Sequence, residues 1–308
     1  MHVTSRRILV VGAGFLGSAI ALALNQSGHR VTLLSPRAEA SSVPGNPAVV
    51  RGRQEDGALM NDLLRVHSVV IHAAWSTTPG SSAGRPALES AAGLAPWLAF
   101  LETLRRYPTV RLLFLSSGGT VYGNPDRLPV SEDAPLQPRS CHGAGKASAE
   151  LFLSTLRPDR EQETVVLRVS NVYGPGQPWR DGFGVLRHLL QCATNGKPFT
   201  RWGDGSQVRD YLYIDDFVDA VLRMVDHPKV SGVYNVGSGS GASVQELITL
   251  FESVTARPVR IESQPARNGD VDRIVLDSSK IRRAVGWAPA IGLREGIALT
   301  WRWLNTTS

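Results

Sequence analysis

Apolar positions cluster early in the chain, at Ile8–Val11 and again at Val31–Leu34, with an apolar-rich helical stretch between them. The segment "RILVVGAGFLGSAIALALNQSGHRVTLLS" (7–35) therefore predicts strand, tight glycine turn, helix and strand, the opening βαβ unit of a parallel sheet. Its first strand is continuously apolar, as expected where helices cover both faces of a sheet. Further strand candidates are "SVVIHAA" (68–74), "VRLLFLSS" (110–117) and "ETVVLRVSNVYG" (163–174), with helical stretches around 87–105 and 143–157 between them. Strands alternating with helices predict an α/β fold, a Rossmann-type doubly wound parallel sheet.

Beyond residue 174 the pattern changes to Gly- and Pro-rich loops with short elements, "PGQPWRDG" and "NGKPFTRWGDGSQVRDY", followed by a helix from Asp215 to about Asp226. Loops of this kind at the carboxyl ends of sheet strands are where a ligand site is built. The expected division is a dinucleotide-binding Rossmann domain over 1–174 and a smaller, interleaved lobe over 175–308, mainly substrate-binding, with some segments returning to the first domain.

Composition narrows the function. A chain of 308 residues that is 42% hydrophobic can bury a large core, which excludes disorder. The net charge is +6, and all but four of the 33 basic residues are arginine: the lysines are Lys146, Lys197, Lys229 and Lys280. The arginines are scattered, with neither a basic block nor interleaved aromatics, so an anionic small ligand is expected and nucleic acid is not. No apolar run approaches the ~18 residues of a membrane span, and no signal-peptide pattern precedes the first strand; a soluble cytoplasmic protein is expected. Cys141 and Cys192 have no metal-ligand spacing and read as free thiols, and no metal site is expected.

Gly12, Gly14 and Gly17 in "GAGFLG" match G-x-G-x-x-G directly after a strand and at the mouth of a helix. The first glycine permits the turn, the second lets backbone approach a pyrophosphate, and the third lets helix pack on strand, while the helix N-terminus attracts the anion. The second strand ends at Ser35, where an NAD site usually carries an acidic residue; here "SPR" places Arg37 within reach of a 2′-phosphate. NADP is therefore expected ahead of NAD.

"GAGFLG", "SSGGTVYG" (116–123), "GAGKASAE" (143–150), "RVSNVYGPG" (168–176), "GDGSQVRDYLYIDDFVDA" (203–220), "YNVGSG" (234–239), "PARNGDV" (265–271) and "DSSKIRRAVGWAP" (277–289) together resemble the extended short-chain dehydrogenases/reductases. More narrowly, they resemble the nucleotide-sugar epimerase/dehydratase branch, of the UDP-galactose 4-epimerase type. The resemblance implies NAD(P) in the first lobe, a nucleoside diphosphate-sugar in the second, and a homodimer through a helical face. It makes Gly12, Gly14, Phe15, Leu16, Gly17, Ser35, Arg37, Ala73, Ala74 and Lys146 the cofactor candidates. It assigns Asn171, Arg209 and Arg267 to the sugar nucleotide, the two arginines to its diphosphate. Planar guanidinium groups suit phosphate oxygens; a structural ion pair with Asp210 or Asp270 is the alternative for either arginine. Two family positions depart: "ESAAGLAPWLAFLE" lacks the asparagine usual there, and "VVRGRQED" places Arg53 near the position of an adenine-contacting aspartate.

The family's catalytic pair is Tyr-x-x-x-Lys, assisted by Ser or Thr. The tyrosine exchanges a hydroxyl proton, and the lysine holds the cofactor ribose and lowers the tyrosine pKa. Here the lysine is Lys146, and His142 stands in the tyrosine position. The Ser/Thr position falls on Gly118, leaving Ser117 and Thr120 as hydroxyl candidates. Histidine titrates near ~6.5 and can act as a base, but it becomes a cation beside Lys146 and is shorter than tyrosine by roughly 2 Å, where misplacement by about 1 Å is costly. A bridging water, Tyr122 or Tyr173 can compensate for that reach; Cys141 beside His142 is a further candidate. Three readings follow: an NAD(P)-dependent nucleotide-sugar epimerase with His142 as acid/base; a keto-sugar nucleotide reductase or dehydratase, with histidinium donating the proton in the reductase; and a sugar-nucleotide or NADP sensor with little turnover.

Overall fold

A computed structural model describes residues 5–37, 47–156, 164–179, 184–266 and 269–307. The first apolar run forms β1 (Arg7–Val11), whose side chains alternate between two cores. Ile8 and Val10 enter one, Leu9 and Val11 the other, so both faces of the strand are buried, as its uninterrupted apolarity requires.

In chain order there follow α1 (Phe15–Gln26), β2 (Arg30–Ser35), β3 (Ala48–Arg51), α2 (Gly57–Val66) and β4 (Val69–His72). Then come α3 (Pro86–Glu89), a π-helical turn (Ser90–Leu94), α4 (Ala95–Leu104), β5 (Arg111–Ser117), α5 (Gly118–Val121), α6 (Cys141–Leu156) and β6 (Thr164–Val169). The remainder comprises β7 (Asn171–Tyr173), α7 (Val185–Asn195), β8 (Phe199–Trp202), β9 (Val208–Tyr213), α8 (Ile214–Asp226), β10 (Gly232–Val236), β11 (Gly241–Ser243), α9 (Val244–Thr255), β12 (Ile261–Gln264), α10 (Ser279–Val285) and α11 (Leu293–Thr307).

Seven strands form a parallel sheet in the order β10-β6-β5-β4-β1-β2-β3. The order reverses between β1 and β4, the switch point at which α/β sheets open a crevice for ligands. The doubly wound fold is as expected. Strand β10 returns from beyond residue 174 to the edge of this sheet, and α8 packs beside α1. Outside this sheet lie the three-stranded sheet β11-β9-β7 and the pair β12-β8.

Three expected elements have different bounds. The single strand over 163–174 is two: β6 lies in the large sheet, and after Ser170, whose amide donates to Val236 O, β7 crosses into the smaller one. The helix over 87–105 is interrupted by the π turn at Ser90–Leu94. Helix α6 starts at Cys141, ahead of the expected residue 143, which places His142 in its first turn.

Two buried charges fasten the frame that carries the site. Arg111, at the start of β5, donates to Met224 O, His227 O and Val230 O, satisfying carbonyls at the end of α8 and just beyond it. Glu150 ties α6 to the sheet by accepting from Ser116 Oγ and from the Arg168 guanidinium, with Arg168 Nη2 at 2.8 Å. Glu150 lies four positions after Lys146, on the same face of the helix, so this clamp sets the height of the lysine over the strand ends.

Candidate functional site

The glycine turn after β1 follows the physics of its three positions. Gly12 has φ +106°, and a Cβ there would come within 2.7 Å of Ala74 N. Ala73 and Ala74, just after β4, are thus the floor against which the turn closes. A Cβ on Gly17 would lie 1.9 Å from Gly12 O. Gly14 differs: a Cβ there meets nothing within 4 Å, so its space is open. Gly14, at the N-cap of α1, has no side chain to cap the first-turn amides, those of Phe15 and Leu16 among them. The Phe15 and Leu16 side chains pack on the core.

Beside this turn lies a cleft of about 320 Å³, lined among others by Gly12, Pro36, Arg53, Gln54, Ala74 and Ala92. A glycine cradle, an open helix N-terminus and an adjoining cleft fit a dinucleotide. Ser35 is nearly buried and its Oγ accepts from the Arg37 amide at 3.3 Å. Arg37 itself is exposed and is absent from the cleft lining, whereas Arg53 belongs to it.

The second corner is built by α6. His142 and Lys146 are both buried, on one face of the helix. Lys146 Nζ donates to Leu115 O at 2.8 Å and lies 4.0 Å from the centroid of the Trp75 ring and 4.9 Å from that of Phe114. Burial pushes its ammonium down to about 7, opposed by the carboxylates of Glu89 and Glu150. His142 Nδ1 is 3.4 Å from Thr77 Oγ1 and 4.0 Å from Glu89 Oε1. Burial, and after it the charge of Lys146, pushes the imidazole down to about 4, with Glu89 pulling the other way. His142 is neutral near pH 7.

The hydroxyl candidates lie on α5, beside α6. Ser117 is the N-cap position of α5, and Thr120 Oγ1 donates to Ser117 O at 3.5 Å. A Cβ on Gly143 would strike Thr120 O at 2.6 Å, which shows how closely α5 and α6 approach. Neither hydroxyl hydrogen-bonds His142 among the described residues. The tyrosines considered as substitutes are engaged. Tyr122 OH donates to Asn235 Oδ1 and accepts from Arg168, with burial raising its pKa to about 12; Tyr173 OH donates to Leu293 O and is likewise pushed up by burial. Cys141 is a free, half-buried thiol, and Cys192 is free and buried.

Of the substrate candidates, Asn171 is exposed, with Nδ2 donating to Asp210 O at 3.0 Å and its amide facing Gly119. Arg209 is half-buried and donates to Val208 O. The alternative pairing of Arg209 with Asp210 is not what the structure has. Asp210 is wholly buried and accepts from the amides of Ser238, Gly239 and Leu276 and from Ser238 Oγ, which occupy both of its oxygens. Arg267 lies outside the described residues. No group of metal-ligating side chains occurs among the described residues, and none of the described helices is long and apolar enough to cross a membrane.

Residues 8–237 match the NAD dependent epimerase/dehydratase family. The chain belongs to that family. It is 33% identical over 303 residues to a UDP-glucose 4-epimerase of Mycolicibacterium smegmatis, covering 96% of this chain and 97% of that protein. It superposes on a UDP-glucose 4-epimerase of Thermus thermophilus, solved in complex with NAD, with TM-score 0.89 and 32% identity over 98% of this chain and 100% of that one. A UDP-glucose 4-epimerase of Thermotoga maritima, solved with UDP-glucose, gives TM-score 0.89 and 30% identity, over 98% and 99% of the two chains.

His142 sits in a cluster of buried polar groups drawn from three parts of the chain. Sequence reasoning missed Trp75, Thr77 and Glu89, which lie 67, 65 and 53 residues before it. Trp75 Nε1 donates to Glu89 Oε1 at 2.9 Å, and its ring stands edge-on to the imidazole. One signal was available: Glu89 is a lone carboxylate in the otherwise small and apolar "PALESAAGLAPW". Chemically, the corner offers a neutral imidazole, an amine poised near neutrality and a buried carboxylate, the groups needed to accept and return a proton.

Proposed function

We propose that the protein is an NAD-dependent nucleotide-sugar 4-epimerase in which His142 takes the acid/base place of the family tyrosine. The observation that carries the reading is the neutral, buried imidazole on the same helix face as Lys146, at the strand ends beside the glycine cradle. A bound nicotinamide supplies the acceptance and return of hydride. The protein's own groups handle the proton: His142 removes it from a ring hydroxyl and gives it back after the keto sugar has turned. Ser117 or Thr120 donates a hydrogen bond to that hydroxyl.

In this reading Gly12, Gly14, Phe15, Leu16, Gly17, Ala73, Ala74 and Lys146 hold the cofactor, and Asn171, Arg209 and Arg267 the UDP-sugar. Residues 1–174 serve the dinucleotide and 175–308 mainly the sugar nucleotide, with α8 and β10 returned to the cofactor side. The relatives' nucleotide is UDP, and the structural relative from Thermus thermophilus was solved with NAD. The NADP preference expected from Ser35 and Arg37 gains no support: the structural relative was solved with NAD, and Arg37 is not among the residues that line the cleft. A homodimer belongs to the same proposal; Leu151 and Phe152 expose apolar side chains on α6 and favour burial against a second copy.

The reductase reading needs histidinium as proton donor, and a lowered imidazole pKa works against that. The test is to incubate the protein with UDP-glucose and a catalytic amount of NAD and follow UDP-galactose by NMR. Interconversion without net change in nicotinamide absorbance supports the epimerase. Binding of both ligands without turnover supports the sensor, and stoichiometric consumption of NADH or NADPH by a keto-sugar nucleotide supports a reductase.

A further inference from the structure

We infer that Glu89 is a positioning residue for His142, the two forming a carboxylate–imidazole dyad that makes histidine workable where the family uses tyrosine. The inference rests on the acid/base reading of His142 given above.

The problem that histidine raises is one of charge. Tyrosinate beside an ammonium becomes neutral on protonation, whereas imidazole becomes a second cation. A carboxylate on the far nitrogen removes the difficulty, since the protonated imidazole then faces one negative and one positive group. Glu89 is the carboxylate in that place. It is only 3% exposed, and its Oε1 is 4.0 Å from His142 Nδ1. It comes from α3, while Lys146 and His142 come from α6 and Trp75 and Thr77 from the segment after β4; these are the charged and polar groups around the imidazole.

The surroundings are shaped to admit this side chain. A Cβ on Gly145 would lie 2.5 Å from Glu89 Oε1, and one on Gly93 would lie 2.8 Å from it. Two helices thus carry glycine at the points where the carboxylate passes. The π turn begins at the residue after Glu89, and such turns recur where a helix must re-aim a functional side chain. Trp75 Nε1 holds Oε1, while Oε2 is buried with no hydrogen-bond partner among the described residues. A buried carboxylate oxygen left unpaired is costly, and a donor that moves onto it recovers that cost. Separations in ligand-free sites commonly tighten when substrate binds, and closing the 4.0 Å gap, with Nδ1 turned from Thr77 Oγ1, would bring Nδ1–H to the carboxylate. The hydrogen on Nδ1 then fixes the tautomer: Nε2, which makes no hydrogen bond among the described residues, is left as the base.

The tautomer can be read whatever sugar nucleotide the protein takes. Nitrogen-15 spectra of His142 at pH 7, with and without NAD, are expected to show the Nδ1–H tautomer, assigned by loss of its signals in His142→Gln. In Glu89→Gln the population is expected to move toward Nε2–H; in Thr77→Val it is expected to stay, which separates the carboxylate from the nearby hydroxyl. With UDP-glucose as probe, Glu89→Gln is expected to lower kcat about tenfold or more with KM little changed, and Glu89→Asp to recover part of it. Thermal melting checks that each variant folds; if Glu89→Gln does not, Glu89→Asp and the wild-type tautomer carry the decision. An Nε2–H tautomer in the wild type, or a tautomer and kcat indifferent to Glu89, overturns the dyad. If the wild type shows no conversion of UDP-glucose, the epimerase reading fails while the tautomer still decides the dyad.

Discussion

The ammonium of Lys146 lies 4.0 Å from the centroid of the Trp75 ring, and the indole nitrogen of that same tryptophan holds Glu89. One side chain therefore spaces the positive and the negative group of the corner. Cation–π contacts at desolvated sites are worth about 2 kcal/mol. Trp75→Leu should loosen both neighbours: calorimetric titration is expected to show weaker NAD binding, and UDP-glucose turnover should fall. Trp75→Phe, which keeps the ring and loses the donor, should spare NAD affinity and reduce turnover alone.

The glycines of the cradle should separate folding from binding. Gly17→Ala drives a methyl into Gly12 O, and overpacking of this kind costs about 1–3 kcal/mol. Gly14→Ala meets nothing within 4 Å and should leave the melting temperature unchanged while its methyl obstructs the dinucleotide. Differential scanning fluorimetry of both variants, with and without NAD, reads the two effects together.

Arg111 makes a purely architectural prediction. Its removal takes a charged donor from three carbonyls at and after the end of α8, of which His227 O keeps the Val230 amide, and hydrogen bonds to charged groups contribute about 1.5–3 kcal/mol each in favourable cases. Arg111→Met should lower the stability to urea by about 3 kcal/mol or more. The residual folded fraction should bind NAD normally, because the residue is remote from the cradle.

His142 also carries a pH signature. Its native pKa of about 4 lies below the ordinary 6.5 because of burial and, second, Lys146. Above 6.5 neither the folded nor the unfolded chain holds the proton, and the group has no linkage effect there. As pH falls from 6.5 to 4 the unfolded chain takes up a proton that the folded chain does not, so stability is progressively lost. His142→Gln should therefore flatten the urea-stability profile between those limits and be the more stable of the two proteins, relative to their difference at pH 7, at the acid end.

How far the sequence speaks for the structure differs between its parts. Strands β1, β2, β4 and β5 are legible because each is apolar on both faces and is bounded by polar or glycine residues. The 163–174 segment reads as one strand because nothing in "VSNVYG" marks the point where Ser170 leaves one sheet for another; that break is made by pairing with β9 and β10, which lie far along the chain. His142 and Lys146 are legible from their spacing of four. Glu89 and Trp75 are not, because their meaning lies in a three-way meeting of α3, α6 and the segment after β4. That "ESAAGLAPWLAFLE" contains no asparagine is legible in the sequence, whereas the contacts made from that region are not.

In the proposed reaction, His142 moves the proton of a transiently oxidised sugar. The decisive measurement gives UDP-glucose deuterated at C4, with catalytic NAD, to the wild type and to His142→Ala, and follows UDP-galactose by NMR and mass spectrometry. The wild type should form product that keeps its deuterium, and His142→Ala should form it slower by two or more orders of magnitude with NAD affinity retained. Product formed equally fast by His142→Ala, or product whose deuterium has exchanged with solvent, would contradict that role.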